Sequence, residues 1–412
     1  MKIDGIEYAC GKCGSLKLKK RGSSPHNKLV RQYQCGDCGK YSTSNTIQKL
    51  ADAEIIEQNI ILAKQKQKAQ DMNRIERKSF RENARIENAV VELNAAFLNI
   101  LKNHNLSRMT VRHEKDSTCA VIVHLTDLHF NELVNLVHNK YDFSIASRRI
   151  WLLVQRAKQY AKLVGAAKIV LALTGDLMNS DRRLDEKLAM ATNRSKATFL
   201  AVDILQQAIL DLNRDFNVAV AGICGNEGRV NQELGFQDLV ASDNYDYTIY
   251  HTLRKIFENA DGVTFDRMQN PLEVVIEVCG QNILLVHGHC LKQGNLSRSI
   301  AEKKAQYSAN FGMDIRYVIF GHIHEAYISD QFARGSSPVG DNAFSAQALN
   351  LTGRASQNFY VIHENGNIDG MKVDLQNVEG VTGYNFDTAL EAYNPKSADK
   401  AKHTETVFKV VI

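Results

Sequence analysis

Across residues 106–412, five short apolar runs recur, and each ends in small or polar residues: CAVIVHLTDLH (119–129), AKIVLALTGDL (167–177), VAVAGICGNEG (218–228), QNILLVHGH (281–289) and RYVIFGHIH (316–324). The apolar residues are nearly continuous rather than alternating, which marks strands covered on both faces. Between the first two runs, SRRIWLLVQRAKQYAKLV (147–164) has apolar residues at helical spacing. Strands alternating with helices predict an α/β domain, an open and largely buried sheet with helices on its faces. Beyond Gly321 the chain turns to Gly-, Ser- and Asn-rich strands and turns. The polar segment 333–358 reads as a substrate-side loop or as a surface connection, and Thr406–Ile412 as a last strand or a tail.

The pattern changes upstream. Thr46 to His104 contains neither Pro nor Gly and is rich in Ala, Glu, Lys, Gln and Arg, so 46–105 predicts a helical linker. Ile86, Val90, Leu93, Phe97 and Ile100 form a heptad-like seam, suited to docking on the following domain or to a homo-oligomeric coiled coil. The stretch 64–85 is mostly polar and reads as a solvent-facing spacer. Residues 1–45 hold two turns, CGKCGS and CGDCGK, joined by the basic segment KLKKRGSSPHNKLVRQYQ. They carry too few apolar residues to fold by burial alone. Three regions are therefore expected: 1–45, 46–105 and 106–412.

Composition narrows the class. Of 412 residues, 44% are hydrophobic, 24% charged and 8% aromatic, an ordinary balance for a globular protein, and four prolines exclude collagen-like and mucin-like chains. No apolar stretch approaches the ~18–20 residues of a membrane span, and the start MKIDGIEYAC lacks a signal-peptide core, so a cytoplasmic protein with no membrane partner is expected. The net charge of +5 is uneven: residues 1–40 hold nine Lys/Arg and three Asp/Glu, whereas 106–412 carry a slight acidic excess. A polyanion-binding module attached to a near-neutral body follows. In a reducing compartment the eight cysteines do not pair as disulfides. Cys119, Cys224, Cys279 and Cys290 read as buried thiols.

Each apolar run ends in potential metal ligands: Asp127 and His129, Asp176, Asn226, His287, and His322 with His324. Ligands at the C-terminal ends of sheet strands converge on one edge. Carboxylate, imidazole and amide oxygen together suit Mn²⁺, Fe²⁺ or Zn²⁺. The ordered set D-x-H, G-D, G-N, H and G-H-x-H resembles the metallophosphoesterase (calcineurin-like) superfamily. That resemblance implies two stacked β-sheets flanked by helices and a pair of divalent ions. One would take Asp127, His129 and His324, the other Asn226, His287 and His322, with Asp176 bridging. The sequence departs from the family where it usually reads G-N-H-D/E, the His acting on the leaving group or the phosphate. Here the block reads Gly225-Asn226-Glu227-Gly228-Arg229. Glu227 is the candidate acid, Arg229 a candidate phosphate contact, and His289 and His124 are weaker substitutes; turn contacts are the bland alternative for Glu227 and Arg229.

Cys10-x-x-Cys13 and Cys35-x-x-Cys38 match a closed four-thiolate structural Zn²⁺ site. The stretch RQYQCGDCGKYST resembles zinc ribbons at the front of transposases and other DNA-handling proteins, with a fold staple or protein-docking knob as the alternative. The combined expectation is a metal-dependent phosphodiesterase, a DNA nuclease similar to the DNA-repair and phage-encoded branch, whose members commonly use Mn²⁺. One rival is a phosphoprotein phosphatase or phosphomonoesterase with the same site. Another is a non-catalytic DNA- or protein-binding factor on a degenerate scaffold. The sequence does not reveal a partner ATPase.

Overall fold

The computed structural model describes residues 1–3, 6–24, 27–43, 48–49, 61–74, 77, 117–231, 233, 235–342 and 353–401. Its contacts divide the chain into two units, Met1–Asn88 and Ala89–Ile412. The limits expected at 45 and 105 lie outside the described residues, as do the seam at 86–100 and the segment Thr406–Ile412.

In the first unit, β1 (Leu18–Ser24), β2 (Asn27–Cys35) and β3 (Tyr41–Thr43) form an antiparallel sheet. Its core is small: Leu18, Tyr33, Cys10 and Cys35 are the buried members. The helix expected over 46–105 does not include Gln48 and Lys49. Gln48–Lys49 pairs antiparallel with Ile6–Ala9, because the open backbone edge of that strand takes the hydrogen bonds that a helical turn would have kept internal. Residues 61–74 are helical and exposed, as their polar composition requires. Among the described residues, no helix is long and apolar enough to cross a membrane.

The second unit is a mixed α/β fold of two stacked sheets flanked by helices. The first sheet is built from β4 (Cys119–Leu125), β5 (Lys168–Leu173), β6 (Asn217–Gly222), β7 (Val263–Phe265), β13 (Ser356–His363) and β14 (Ile368–Asp374), ordered β7-β6-β5-β4-β13-β14. The four strands from β7 to β4 run parallel, β13 pairs antiparallel with β4, and β14 pairs antiparallel with β13 at the edge. The second sheet holds β8 (Glu273–Val278), β9 (Gln281–Val286), β10 (Tyr317–Phe320), β11 (Tyr327–Ile328) and β12 (Phe332–Arg334), ordered β8-β9-β10-β12-β11.

Period-two alternation explains why the runs are apolar throughout. From β4, Ala120 and Ile122 point between the sheets, where they meet Ile283 and Leu285 of β9 and Ile319 of β10. Val121, Val123 and Leu125 point the other way, toward α1 (Phe143–Leu163), α2 (Arg194–Asn213) and α3 (Tyr245–Ile256). On the far side, Leu284, Val318 and Phe320 pack against Ile300 and Tyr307 of α4 (Leu296–Phe311). The order is helix, sheet, sheet, helix. Asp142 and Asn193 cap α1 and α2 by accepting the backbone N–H of Ile145 and Lys196, each at 2.9 Å.

The four remaining cysteines are not uniformly buried. Cys119 and Cys224 are, but Cys279 is half-buried in the turn between β8 and β9, and Cys290 is exposed beyond the end of β9. Turn positions lack the second covering layer that the strands have.

Candidate metal centre

The ligand-bearing segments follow β4, β5, β6, β9 and β10. The first three strands belong to one sheet and the last two to the other, so the stacking of the sheets brings the segments together at one end of the sandwich. Asp127, His129, Asp176, His322 and His324 all have φ between 42° and 76°. Such left-handed backbone costs a residue with a side chain on the order of 1–3 kcal/mol and persists only where the surroundings impose it. The surroundings here are hydrogen bonds: Asp127 N–H donates to Gly175 O at 3.1 Å, and His129 N–H to Asp176 O at 3.0 Å. The N–H of His322 donates to the Asp127 carboxylate at 2.9 Å. Gly225 and Gly321 are required by close approach, since a Cβ on either would overlap the carboxylate of Asp176 or of Asp127.

Two groups of ligand atoms result, each with all atoms within 4.8 Å of one another: Asp127, His129 and His324, and Asp176, His287 and His322. In the first, His129 Nε2 lies 2.9 Å from His324 Nε2, and His324 Nε2 lies 3.4 Å from Asp127 Oδ1. In the second, His287 Nε2 is 2.9 Å from Asp176 Oδ2 and 3.0 Å from Asn226 Oδ1. Asp176 also accepts the N–H of Glu227 at 2.7 Å. All seven expected side chains are therefore brought together.

The donor set fits divalent cations. Imidazole nitrogens and carboxylate oxygens point at one another in a buried space, and this N/O mixture suits Mn²⁺, Fe²⁺ or Zn²⁺. Although burial opposes it, the Asp176 charge pushes His287 up to about 10, and Asp127 pushes His324 up to about 9. Burial, reinforced by the His324 charge, lowers His129 to about 4, leaving the neutral imidazole that ligation needs. Burial alone would raise Asp127, but its hydrogen bond to His324 and that charge hold it at about 2.

The outer partners were not legible in the sequence. Asp246, at the start of α3, is fully buried and accepts the N–H groups of Asp176, Leu177, Met178 and Gly225 at 2.8–3.2 Å. It ties the turn after β5 to the turn after β6. Only its place in the helix-start text DNYDYT marked it, and that text reads as ordinary capping. The carbonyl of Thr174 lies 2.8 Å from His287 Nδ1, which leaves Nε2 facing the site. Ser337 Oγ donates to Asp127 O and Ser336 Oγ to His324 O, each at 2.7 Å. The described part of 333–358 is thus mostly packing beneath the ligands, and 343–352 lie outside the described residues.

Glu227 Oε2 lies 3.5 Å from His129 Nδ1. Burial and then the Asp176 charge push its carboxyl up to about 7. Arg229 turns onto its own loop: Nη1 donates to Asn226 O at 2.9 Å and Nε to Asn231 O at 3.2 Å. His124 does not reach the site. It is buried beneath it, with Nε2 2.7 Å from Thr174 Oγ1, because β4 alternation points it between the sheets. The His289 ring centroid is 5.5 Å from that of His287, and both its nitrogens are closed to solvent without a hydrogen-bond partner.

In the first unit, Cys10, Cys13, Cys35 and Cys38 bring their sulfurs within 4.8 Å of one another, an arrangement that can hold a metal ion. Cys10 and Cys38 lie 3.7 Å apart and Cys13 and Cys35 3.6 Å apart at their sulfurs, too far for S–S bonds. Backbone N–H groups of Cys38 and Asp37 lower Cys35 to about 6, favouring the thiolate.

No protein-family model and no curated protein matches the chain. Similar solved structures include Vps29 complexed with zinc from Entamoeba histolytica, with 12% identity and TM-score 0.29, over 62% of this chain and 99% of that one. A predicted phosphoesterase from Streptococcus pneumoniae has 10% identity and TM-score 0.26, over 63% and 99% of the two chains. A 5′-nucleotidase from Candida albicans has 11% identity and TM-score 0.31, over 70% and 56%.

Replacing Asp246 by Ala leaves four buried N–H groups without an acceptor, each costing about 1–3 kcal/mol. The expected outcome is a lower unfolding midpoint together with a 10–100-fold loss of Mn²⁺ affinity, roughly that of removing an outer partner. Calorimetric Mn²⁺ titration checks it, and unchanged affinity in a folded Asp246→Ala protein would contradict the positioning role. For the thiolates, Cys35→Ser should release one Zn²⁺ per chain in elemental analysis and unfold the β1–β3 sheet, seen as collapsed amide protection there.

Proposed function

We propose that the chain is a metal-dependent phosphodiesterase acting on DNA, a nuclease of the metallophosphoesterase kind, with the four-cysteine module as its DNA-binding zinc ribbon. The observation that carries the reading is the pair of three-residue groups, Asp127, His129 and His324 and Asp176, His287 and His322, at one end of the sandwich. Asp127, His129 and His324 would hold one cation; Asn226, His287 and His322 the other; Asp176 would serve both. Mn²⁺ is the expected occupant. When bound, such a pair supplies positive charge to a phosphate gaining negative charge and makes water a better nucleophile.

The chain's own residues do the rest. Thr174 and Asp246 keep His287 and Asp176 in place before substrate arrives. Glu227, beside His129 and mostly buried with its side chain 30% exposed, is the group best placed to offer a proton to the departing oxygen. A sugar oxygen leaving from DNA has a high pKa and needs that proton, whereas an activated aryl ester does not. The DNA assignment is supported by the basic module: Lys19, Lys20, Arg21, Lys28 and Arg31 are exposed on β1 and β2, in a segment whose first forty residues carry nine Lys/Arg against three Asp/Glu.

The experiment is incubation of the full chain with labelled single- and double-stranded DNA, a phosphomonoester and a phosphopeptide in Mn²⁺, Mg²⁺ or EDTA. Metal-dependent cleavage of DNA in preference to the monoesters is expected, and Asp176→Asn should abolish it. The inactive Asp176→Asn protein should still bind DNA, with affinity falling by about 0.9 log unit per log unit of salt for each phosphate contact. Cleavage of the phosphopeptide alone would replace the reading with a phosphatase. A second outcome concerns Glu227. Glu227→Gln should slow DNA cleavage roughly 10²–10⁴-fold while sparing bis-p-nitrophenyl phosphate. Equal slowing of both esters would reassign Glu227 to positioning.

A further inference from the structure

A cavity of about 470 Å³ opens beside the metal centre, between the end of β9 and α4. His287, one of the expected ligands, forms part of its wall, so the cavity borders the candidate centre. Its size lies within the usual range for small-ligand sites. Nothing in the metal chemistry accounts for how it is lined.

Four features of the lining call for a ligand. His289 presents a ring whose two nitrogens are closed to water and have no partner, a state that buried polar atoms rarely keep. Phe236 is 63% exposed, an aromatic ring left uncovered at the same wall. Gln306 brings an amide able to donate and accept, and Asn270 an amide N–H₂, its Oδ1 already accepting the N–H of Leu272 at 2.9 Å. Lys292 adds an exposed ammonium, while Val286 and Leu291 make the apolar floor. Lys303 is already neutralised by Glu273.

We propose that this cavity binds the nucleoside next to the scissile phosphate, a proposal that rests on the phosphodiesterase reading above. The base stacks on Phe236, its polar edge pairs with the Gln306 and Asn270 amides, and Lys292 takes the phosphate oxygens. Stacking on an aromatic face tolerates every base, which suits a pocket that follows a strand rather than one sequence. A phosphopeptide fits less well: such sites rely on arginine clusters, and no guanidinium lines this cavity.

The test reads binding, not turnover. The Mn²⁺-loaded full chain is titrated calorimetrically with deoxyadenosine 5′-thiophosphate, which is slowly hydrolysed, and separately with inorganic thiophosphate and phosphotyrosine. The nucleoside probe should bind at least about tenfold more tightly than inorganic thiophosphate, the scale of one stacked base. Phe236→Ala, a surface change that spares the core, should erase that advantage. Lys292→Glu should weaken both thiophosphate probes. Equal affinity for the nucleoside and inorganic probes overturns the proposal. So does a Phe236→Ala protein that keeps the nucleoside preference, or phosphotyrosine binding as tightly as the nucleoside. Failure of the nuclease reading would show instead as intact nucleoside binding with no cleavage of DNA.

Discussion

Seven polar side chains, five of them ionisable imidazoles or carboxylates in left-handed backbone, meet at one end of an otherwise apolar sandwich. Burying carboxylates and imidazoles together is unfavourable unless each is paired, hydrogen-bonded or bound to a cation. The molecule answers with a rigid frame. Gly225 and Gly321 let neighbouring turns close to contact distance, and Asp246 gathers four N–H groups from two different turns. Much of what surrounds the site serves to hold like groups close before any ion or substrate is present.

That frame depends on the two sheets being stacked. The first sheet contributes Asp127, His129, Asp176 and Asn226; the second contributes His287, His322 and His324. Neither sheet carries all the members of either three-residue group. The apolar contacts of Ile122 with its neighbours on β9 and β10 are therefore as necessary to the site as the ligands. The cavity beside His289 extends the same logic: it forms where β9 ends and α4 begins, away from the first sheet's helices. The four-cysteine unit faces a simpler problem. With Leu18, Tyr33, Cys10 and Cys35 as the buried core among the described residues, its sheet has little apolar surface to hold it, and four sulfurs converge there in an arrangement that can hold a metal ion.

The strands were legible because a strand covered on both faces must be apolar at every position, and β4, β5, β6, β9 and β10 obey that rule. The candidate ligands were legible as a set because they follow those runs directly. Gln48–Lys49 was misread as helix, because pairing with Ile6–Ala9 is a contact across the sequence that local propensity does not encode. Cys290 was misread as buried because a turn position carries no periodic signal of its cover.

The sequence by itself determined which side chains end each strand and which cysteines come in pairs, since both follow from spacing along one stretch of chain. Only the tertiary structure decided how those ends are grouped, which buried carboxylate ties them, and where an unpartnered imidazole opens onto a cavity. Asp246 is 70 residues from Asp176, and His324 is 195 from His129. Over such separations the pairing is set by the stacking of two sheets, a global consequence of apolar burial that no local pattern records.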